Sequence, residues 1–358
     1  MFTGRSTPVE RNRHVGPIAF ALLVTTAVAT VSACGTADSA PESGSRPTVK
    51  LALNPAQLQY LPIMLAIDRG YFRDAGVNVE LTTYQGSANN QIPLLARGDI
   101  DLSPAVSGPS LFNQYEQGFR IKLLANLTAP RKGYRDGSVL VVRKDRWDTG
   151  EIRSPKDLEG RRVDGSAEGN PADFLMRQTL LSAGVEPADV KLEHRARTPV
   201  DSVEFLRNRT VEATVISEPA ATLAEVEGLG VRWLGYNSVV PWYQETFLAA
   251  SEKFAAERPD DARKVLGAYL RAVKDVNASH GSWTPELLAL AAKWTKQKQE
   301  TLNAVGGLMY YTPDGAVDEK GLAKVQDFWS GEKLVPREIP VGELVDTRAL
   351  STATGGSQ

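Results

Sequence analysis

The chain of 358 residues is almost without cysteine; the one it has is Cys34. That scarcity excludes a disulfide framework, and it excludes a cysteine cluster for metal binding or thiol chemistry. Histidine is nearly as rare, at His14, His194 and His280, and none of these stands in a zinc-ligand motif. The Gly-x-Ser-x-Gly, His-Glu-x-x-His and Gly-Lys-Ser/Thr signatures are all missing, so nothing marks a hydrolase elbow, a zincin helix or a phosphate-cradling loop. Asp99 and Asp101 alternate with no histidine nearby and read as turn and strand-start residues. Neither charge dominates: Lys+Arg 41 against Asp+Glu 43 leaves a net −2. No basic cluster with interleaved aromatics occurs, which argues against a nucleic-acid partner. No cofactor and no metal are expected.

Long apolar runs are missing too, with one exception near the N-terminus. Arg5, Arg11 and Arg13 precede an apolar stretch from Ile18 to Val31, followed by Ser32-Ala33-Cys34-Gly35. A basic start, a short apolar core and small residues before a cut site make a secretory signal over residues 1–33. The core, about 14 residues, is short of the roughly 20 that span a bilayer. Arg11 and Arg13 are split by Asn12, so the general secretion route fits better than a twin-arginine one. Val31-Ser32-Ala33-Cys34 resembles a bacterial lipobox, in which the thiol takes a diacylglyceryl group and becomes the new N-terminus. The alternative is plain cleavage after Ala33, with Cys34 a bystander. Lipidation at Cys34 would hold the protein on the outer face of the cell membrane without a transmembrane helix. Residues 34–47, small and polar, read as a flexible tether, and the C-terminal Ser351-Thr352-Ala353-Thr354-Gly355-Gly356-Ser357-Gln358 as a loose end.

The remainder is long enough for two domains and alternates short apolar runs with amphipathic ones. Strands are expected at 49–53, 77–81, 102–103 and 121–124, with helices at 61–69, 91–97 and 110–117. The pattern restarts after Arg143, with strands at 162–164, 190–193 and 213–216 and a helix at 172–183. From Ser251 onward the chain reads mostly as helix, including 259–276 and 285–294. The expected class is α/β, with mainly parallel sheets covered by helices. The two halves echo each other: 94–101 and 205–213 each end a helix on a turn and place an acid before a strand.

The run Ala66-Ile67-Asp68-Arg69-Gly70-Tyr71-Phe72-Arg73-Asp74-Ala75-Gly76 resembles the hallmark of solute-binding proteins of ABC importers in the nitrate, sulfonate and taurine group, which also holds binders of a thiamine pyrimidine precursor. Leu158 to Val163 and Ile216-Ser217-Glu218-Pro219-Ala220 are similar to that group's second-domain pattern. The resemblance implies a periplasmic-binding-protein-like fold of two domains joined by two crossing segments, with residues 48–143 plus 246–350 in the first and 144–240 in the second. It implies a monomer that clamps a small ligand and delivers it to a permease and its ATPase, with a sulfonate or aminosulfonate such as taurine as the leading ligand. A pyrimidine precursor, nitrate or a sensing role are the alternatives. A synthase of the pyrimidine-forming kind needs a cysteine cluster that this body lacks.

Three strand-to-helix junctions carry small polar residues: Gly86-Ser87, Ser107-Gly108, and Gly165-Ser166 with Asn170. Free N–H groups at such positions suit an anionic or carbonyl group, or each serine merely caps its own helix. Glu218 either favours its helix through the dipole or, facing the cleft, prefers an ammonium or amino donor. Tyr60, Tyr84, Trp242 and Tyr243 either wall the pocket or pack, and Pro241-Trp242-Tyr243 falls where the chain should cross back. The expected ligand-binding set is therefore Tyr60, Ser87, Ser107, Gly108, Ser166, Asn170, Glu218 and Trp242.

Overall fold

The computed structural model describes residues 46–353, and the expected signal segment, Cys34 and the tether up to residue 45 lie outside the described residues. Among the described residues there are ten strands: β1 (Thr48–Leu53), β2 (Asn78–Thr83), β3 (Leu102–Val106), β4 (Ile121–Thr128), β5 (Ser138–Arg143), β6 (Arg162–Asp164), β7 (Lys191–Glu193), β8 (Ala213–Ser217), β9 (Gly230–Gly235) and β10 (Thr246–Ser251). The helices include α1 (Leu61–Asp68), α2 (Pro109–Glu116), α3 (Pro171–Ser182), α4 (Ala220–Val226), α5 (Pro259–Asn277) and α6 (Glu319–Gly331). No helix among the described residues is long and apolar enough to cross a membrane.

The strands form two five-stranded sheets, ordered β2-β1-β3-β10-β4 and β7-β6-β8-β5-β9. Three strands of each sheet pair in parallel, and one strand in each runs against its two neighbours: β10 between β3 and β4, β5 between β8 and β9. Those two are the strands that the chain enters straight from a crossing, 129–137 before β5 and 240–245 before β10. The expected first domain took residues up to 143, but β5 lies inside the second sheet, so the chain crosses before Ser138. Every residue of β5 and of β10 is buried. A strand covered on both faces shows no alternation and reads as an apolar run.

The echo between the halves is structural. Gly98, with φ 74, ends the helix before β3, and Arg209, with φ 55, ends the one before β8. Asp101 then accepts the Lys50 N–H on its carboxylate (2.8 Å), and Glu212 accepts the Arg162 N–H in the same way (3.0 Å). The backbones repeat the match: Ser251 N–H donates to Asp101 and Arg143 N–H to Glu212. Each acid thus ties a parallel strand, β1 or β6, to the antiparallel one of its sheet, β10 or β5.

Burial divides accordingly. One apolar cluster packs α1 and α5 on the first sheet, through Leu61, Met64, Leu266 and Tyr269. A second runs through both lobes, from Phe112 and Phe247 to Leu140, Val163 and Phe174, and ends on Trp329 of α6. Phe174 is its hinge-side plug: it stacks on Tyr243 at 4.7 Å and meets Phe328 edge-on at 5.2 Å. A fully buried phenylalanine contributes roughly 1.5–3 kcal/mol.

Candidate functional site

Two of the three expected junctions meet face to face between the lobes. Gly108 opens α2 of the first lobe at φ 153, and Gly169 precedes α3 of the second at φ 74. A Cβ built on Gly108 would stand 2.5 Å from the Gly169 carbonyl oxygen, so only glycine permits this approach. Beside it, Ser107 Oγ lies 2.9 Å from the Tyr243 hydroxyl and 3.1 Å from the Gln244 carbonyl oxygen, on the returning crossing. Asn170 caps α3: its side-chain oxygen accepts the Asp173 N–H at 2.8 Å, and its amide donates to Ser166 Oγ at 3.1 Å. Ser166 holds a left-handed backbone, φ 65, with its hydroxyl 3.3 Å from the Ala196 carbonyl oxygen. Ser87 is exposed on the third junction and makes no capping bond. The buried residue there is Asn89, which exchanges two hydrogen bonds with the Val106 backbone at 2.9 and 3.0 Å.

Next to this seam is a cavity of about 20 Å³, walled by Arg135, Asp136, Tyr236, Tyr243, Glu245 and Met309. Asp136 comes from one crossing and Glu245 from the other. Burial pushes Asp136 up to about 6, although the Asn237 N–H donates to it at 2.9 Å. Burial pushes Glu245 up to about 7, with Gln59 working against the shift and the charge of Asp136 adding to it. Two acids facing one small space hold their protons more tightly than either would alone. Arg135, exposed, is the cation of the cavity wall. Tyr236 is buried and donates to the Pro171 carbonyl oxygen at 2.9 Å, which ties this wall to the start of α3. Tyr60, also buried, has its pKa raised well above the ordinary phenol value by burial, then by Tyr84 and Glu245, and stays neutral.

Glu218 has other company. Its carboxylate accepts from the Thr222 N–H at 3.1 Å and the Thr222 hydroxyl at 2.8 Å, and Arg232 sits 2.7 Å from its other oxygen. Burial raises its pKa, with Arg232 opposing. Trp242 and Tyr243 both pack on Phe174 and meet each other edge-on at 6.4 Å, but only Tyr243 reaches Ser107 and the cavity, while Trp242 lies beneath Lys324. Sequence reasoning did not reach Asp136 or Glu245. The available signal was position: each is an acid within two residues of a buried strand that directly follows a crossing.

A family model described as "NMT1/THI5 like" matches residues 57–279, more than half of the chain. The Bacillus subtilis (strain 168) protein named "Putative binding protein YtlA" is 23% identical over 333 residues, covering 86% of this chain and 90% of that one. Among solved structures, the periplasmic aliphatic sulphonate binding protein SsuA of Escherichia coli superposes with a TM-score of 0.68 at 17% identity, over 84% of this chain and 92% of its own. The periplasmic nitrate-binding protein NrtA of Synechocystis PCC 6803 gives 0.65 at 16% identity, over 87% and 89%. The α/β architecture expected from the sequence, two lobes of the periplasmic-binding-protein kind, is the fold this chain shares with them.

Proposed function

The chain belongs to the NMT1/THI5-like family, and from that membership we propose that it is an extracytoplasmic solute-binding protein that captures a small ligand between its lobes and delivers it to an ABC importer, a permease with its ATPase. The observation that carries this reading is the seam: helix-start glycines of the two lobes in contact, next to a cavity that both crossings line. A space of about 20 Å³ takes about one water, so a ligand is admitted by parting the lobes about the crossings. The names of the two solved neighbours, a sulphonate binder and a nitrate binder, are in keeping with it.

Within that class we read the ligand as an aminosulfonate of the taurine kind. Asp136 and Glu245 offer an ammonium group two acceptors, and Arg135 on the same wall offers a sulfonate its donor. A bare anion such as nitrate would meet two acids at the same wall. An aminopyrimidine is the second reading, favoured by Tyr236 and Tyr243 in that wall. Cys34 is proposed to carry the lipid that holds this monomer at the outer face of the membrane, through the tether of residues 34–47. The test is a thermal-shift screen of the protein with taurine, an alkyl sulfonate, nitrate and an aminopyrimidine. A ligand at 100 times its dissociation constant adds about 2.7 kcal/mol of stability. A shift with taurine and none with nitrate supports the reading; a nitrate shift alone overturns the choice of ligand, and no shift with any of the four overturns this choice of ligand classes.

A further inference from the structure

We propose that Arg177 and Glu332 form a clasp that holds the two lobes closed, a pair of positioning residues that governs retention of the ligand without touching it. Only the link to retention rests on the solute-binding reading; the clasp itself is a property of the lobes. Arg177 projects from α3 of the second lobe, and Glu332 directly follows α6. The segment after α6 is fastened to the first lobe: the Asn113 amide of α2 donates to the Leu334 carbonyl oxygen at 2.9 Å, and Arg337 pairs with Glu116 of α2 at 2.7 Å. Arg177 Nη1 donates to Glu332 Oε2 at 2.5 Å, so this ion pair crosses the seam.

Three features set it apart from an ordinary surface pair. The Arg177 side chain is only 10% exposed, which weakens screening by solvent. Its guanidinium is aimed in advance, because its Nε donates to Asp173 Oδ1 at 3.0 Å, and that carboxylate is fully buried. Asp173 is pinned in turn by the Gly169 N–H at 2.9 Å and by His194 Nε2 at 2.9 Å, and Trp329 of α6 lies 5.6 Å from the guanidinium. The same carboxylate therefore fixes Gly169, which touches Gly108 across the seam, and Arg177, which reaches Glu332. Closing the lobes brings both contacts together, and little side-chain entropy is left to lose when the ion pair forms. Parting them takes Glu332 and Trp329 away together, so the guanidinium keeps Asp173 and loses its second counter-charge and its aromatic cover in one step.

The experiment is hydrogen–deuterium exchange on the purified protein, following peptides that span 107–112 and 165–170. Glu332→Lys is expected to speed exchange there about tenfold, the size ordinary for a close charge pair across an interface. Glu332→Gln, which keeps a hydrogen-bond acceptor, should fall between it and the wild type. Arg177→Met should match Glu332→Lys, and if it does not fold, the two substitutions at the exposed end carry the test alone. Glu227→Lys is the control: it breaks the 2.5 Å pair with Arg207, which lies within the second lobe, and should leave seam exchange as it was. Equal exchange in wild type and Glu332→Lys would overturn the clasp, as would an equal rise with Glu227→Lys. A protein in which Glu332→Lys opens the seam while no ligand is ever found would keep the clasp and lose the solute-binding reading.

Discussion

Gly108 and Gly169 touch across the two lobes, and neither has room for a side chain. A Cβ at Gly108 would stand 2.5 Å from the Gly169 carbonyl oxygen, and one at Gly169 would stand 2.9 Å from Pro109 Cγ. Contacts that short are not tolerated, so any larger residue must hold the lobes apart or shift the helix starts that line the seam.

Gly169→Ala is therefore expected to open the protein, seen as a larger radius of gyration in small-angle scattering. Left-handed backbone alone costs an alanine roughly 1–2 kcal/mol, and that has to be separated from the wedge effect. Gly184 supplies the comparison, since it holds φ 72 against the 74 of Gly169 and has nothing within 4 Å of its Cβ position. Gly184→Ala should lower the melting temperature and leave the scattering unchanged. Identical scattering from the two variants would mean that the glycine contact does not limit closure.

Asp136 and Glu245 set an expected pH dependence. Unfolded, both titrate near 4; folded, they are raised to about 6 and about 7, so the native state binds protons more tightly. Their stabilising contribution is fully present below pH 4 and is lost as pH rises through the folded values, from about 4 to about 7. At 1.36 kcal/mol per unit, the rise of Glu245 from 4.5 to about 7 corresponds to roughly 3–3.5 kcal/mol, shared with Asp136 because the pair is coupled. Glu245→Gln removes that dependence and should gain about this much on the wild type between pH 5 and pH 8 in denaturant unfolding. A constant difference between the two proteins would show that Glu245 does not titrate there.

How much of this was legible in the sequence depended on the period of each element. β1 and β2, and helices such as α1 and α5, carry their pattern on the surface of the sequence. β5 and β10 carry no alternation, and each follows a crossing that no local pattern marks. Gly108 stood out through its place at a junction, yet its partner Gly169 could be found only once the lobes were brought together. Glu218 drew notice because it precedes Pro219, a local signal, whereas Asp136 and Glu245 meet from crossings that are far apart in sequence and belong to no motif. Trp242 and Tyr243 teach the same lesson at closer range. Both rings pack on Phe174, yet only Tyr243 lines the cavity, and nothing in the sequence says which of the two reaches it.

Cys34→Ser tests the anchor. If the thiol carries the lipid, the variant should leave the membrane fraction, while its melting curve stays that of the wild type, since Cys34 precedes the folded body. A variant that still sediments with membranes would remove Cys34 from anchoring.

Glu218 and Glu245 make opposite expectations for ligand and stability. Glu218 already accepts two hydrogen bonds from Thr222 and faces Arg232 at 2.7 Å, and Arg232 is only 10% exposed. Glu218→Gln leaves that guanidinium with the Thr222 hydroxyl at 3.1 Å and Glu225, 3.9 Å away, as its one remaining ion-pair partner, and should cost about 1–3 kcal/mol of stability. Its effect on taurine binding should stay within about threefold, because its carboxylate is committed to the second lobe's own helix and strand. Glu245→Gln should do the reverse: about the same stability at pH 5, and taurine weakened by about 1.5–3 kcal/mol, the usual size for a hydrogen bond to a charged group. An alkyl sulfonate without the amino group should bind both variants as it binds the wild type, or bind Glu245→Gln better. Calorimetric titration of both ligands against the three proteins decides the matter. If taurine is lost with Glu218→Gln and kept with Glu245→Gln, the roles are exchanged: Glu218 turns to the ligand when the lobes part, and the pair of acids on the crossings serves the hinge alone.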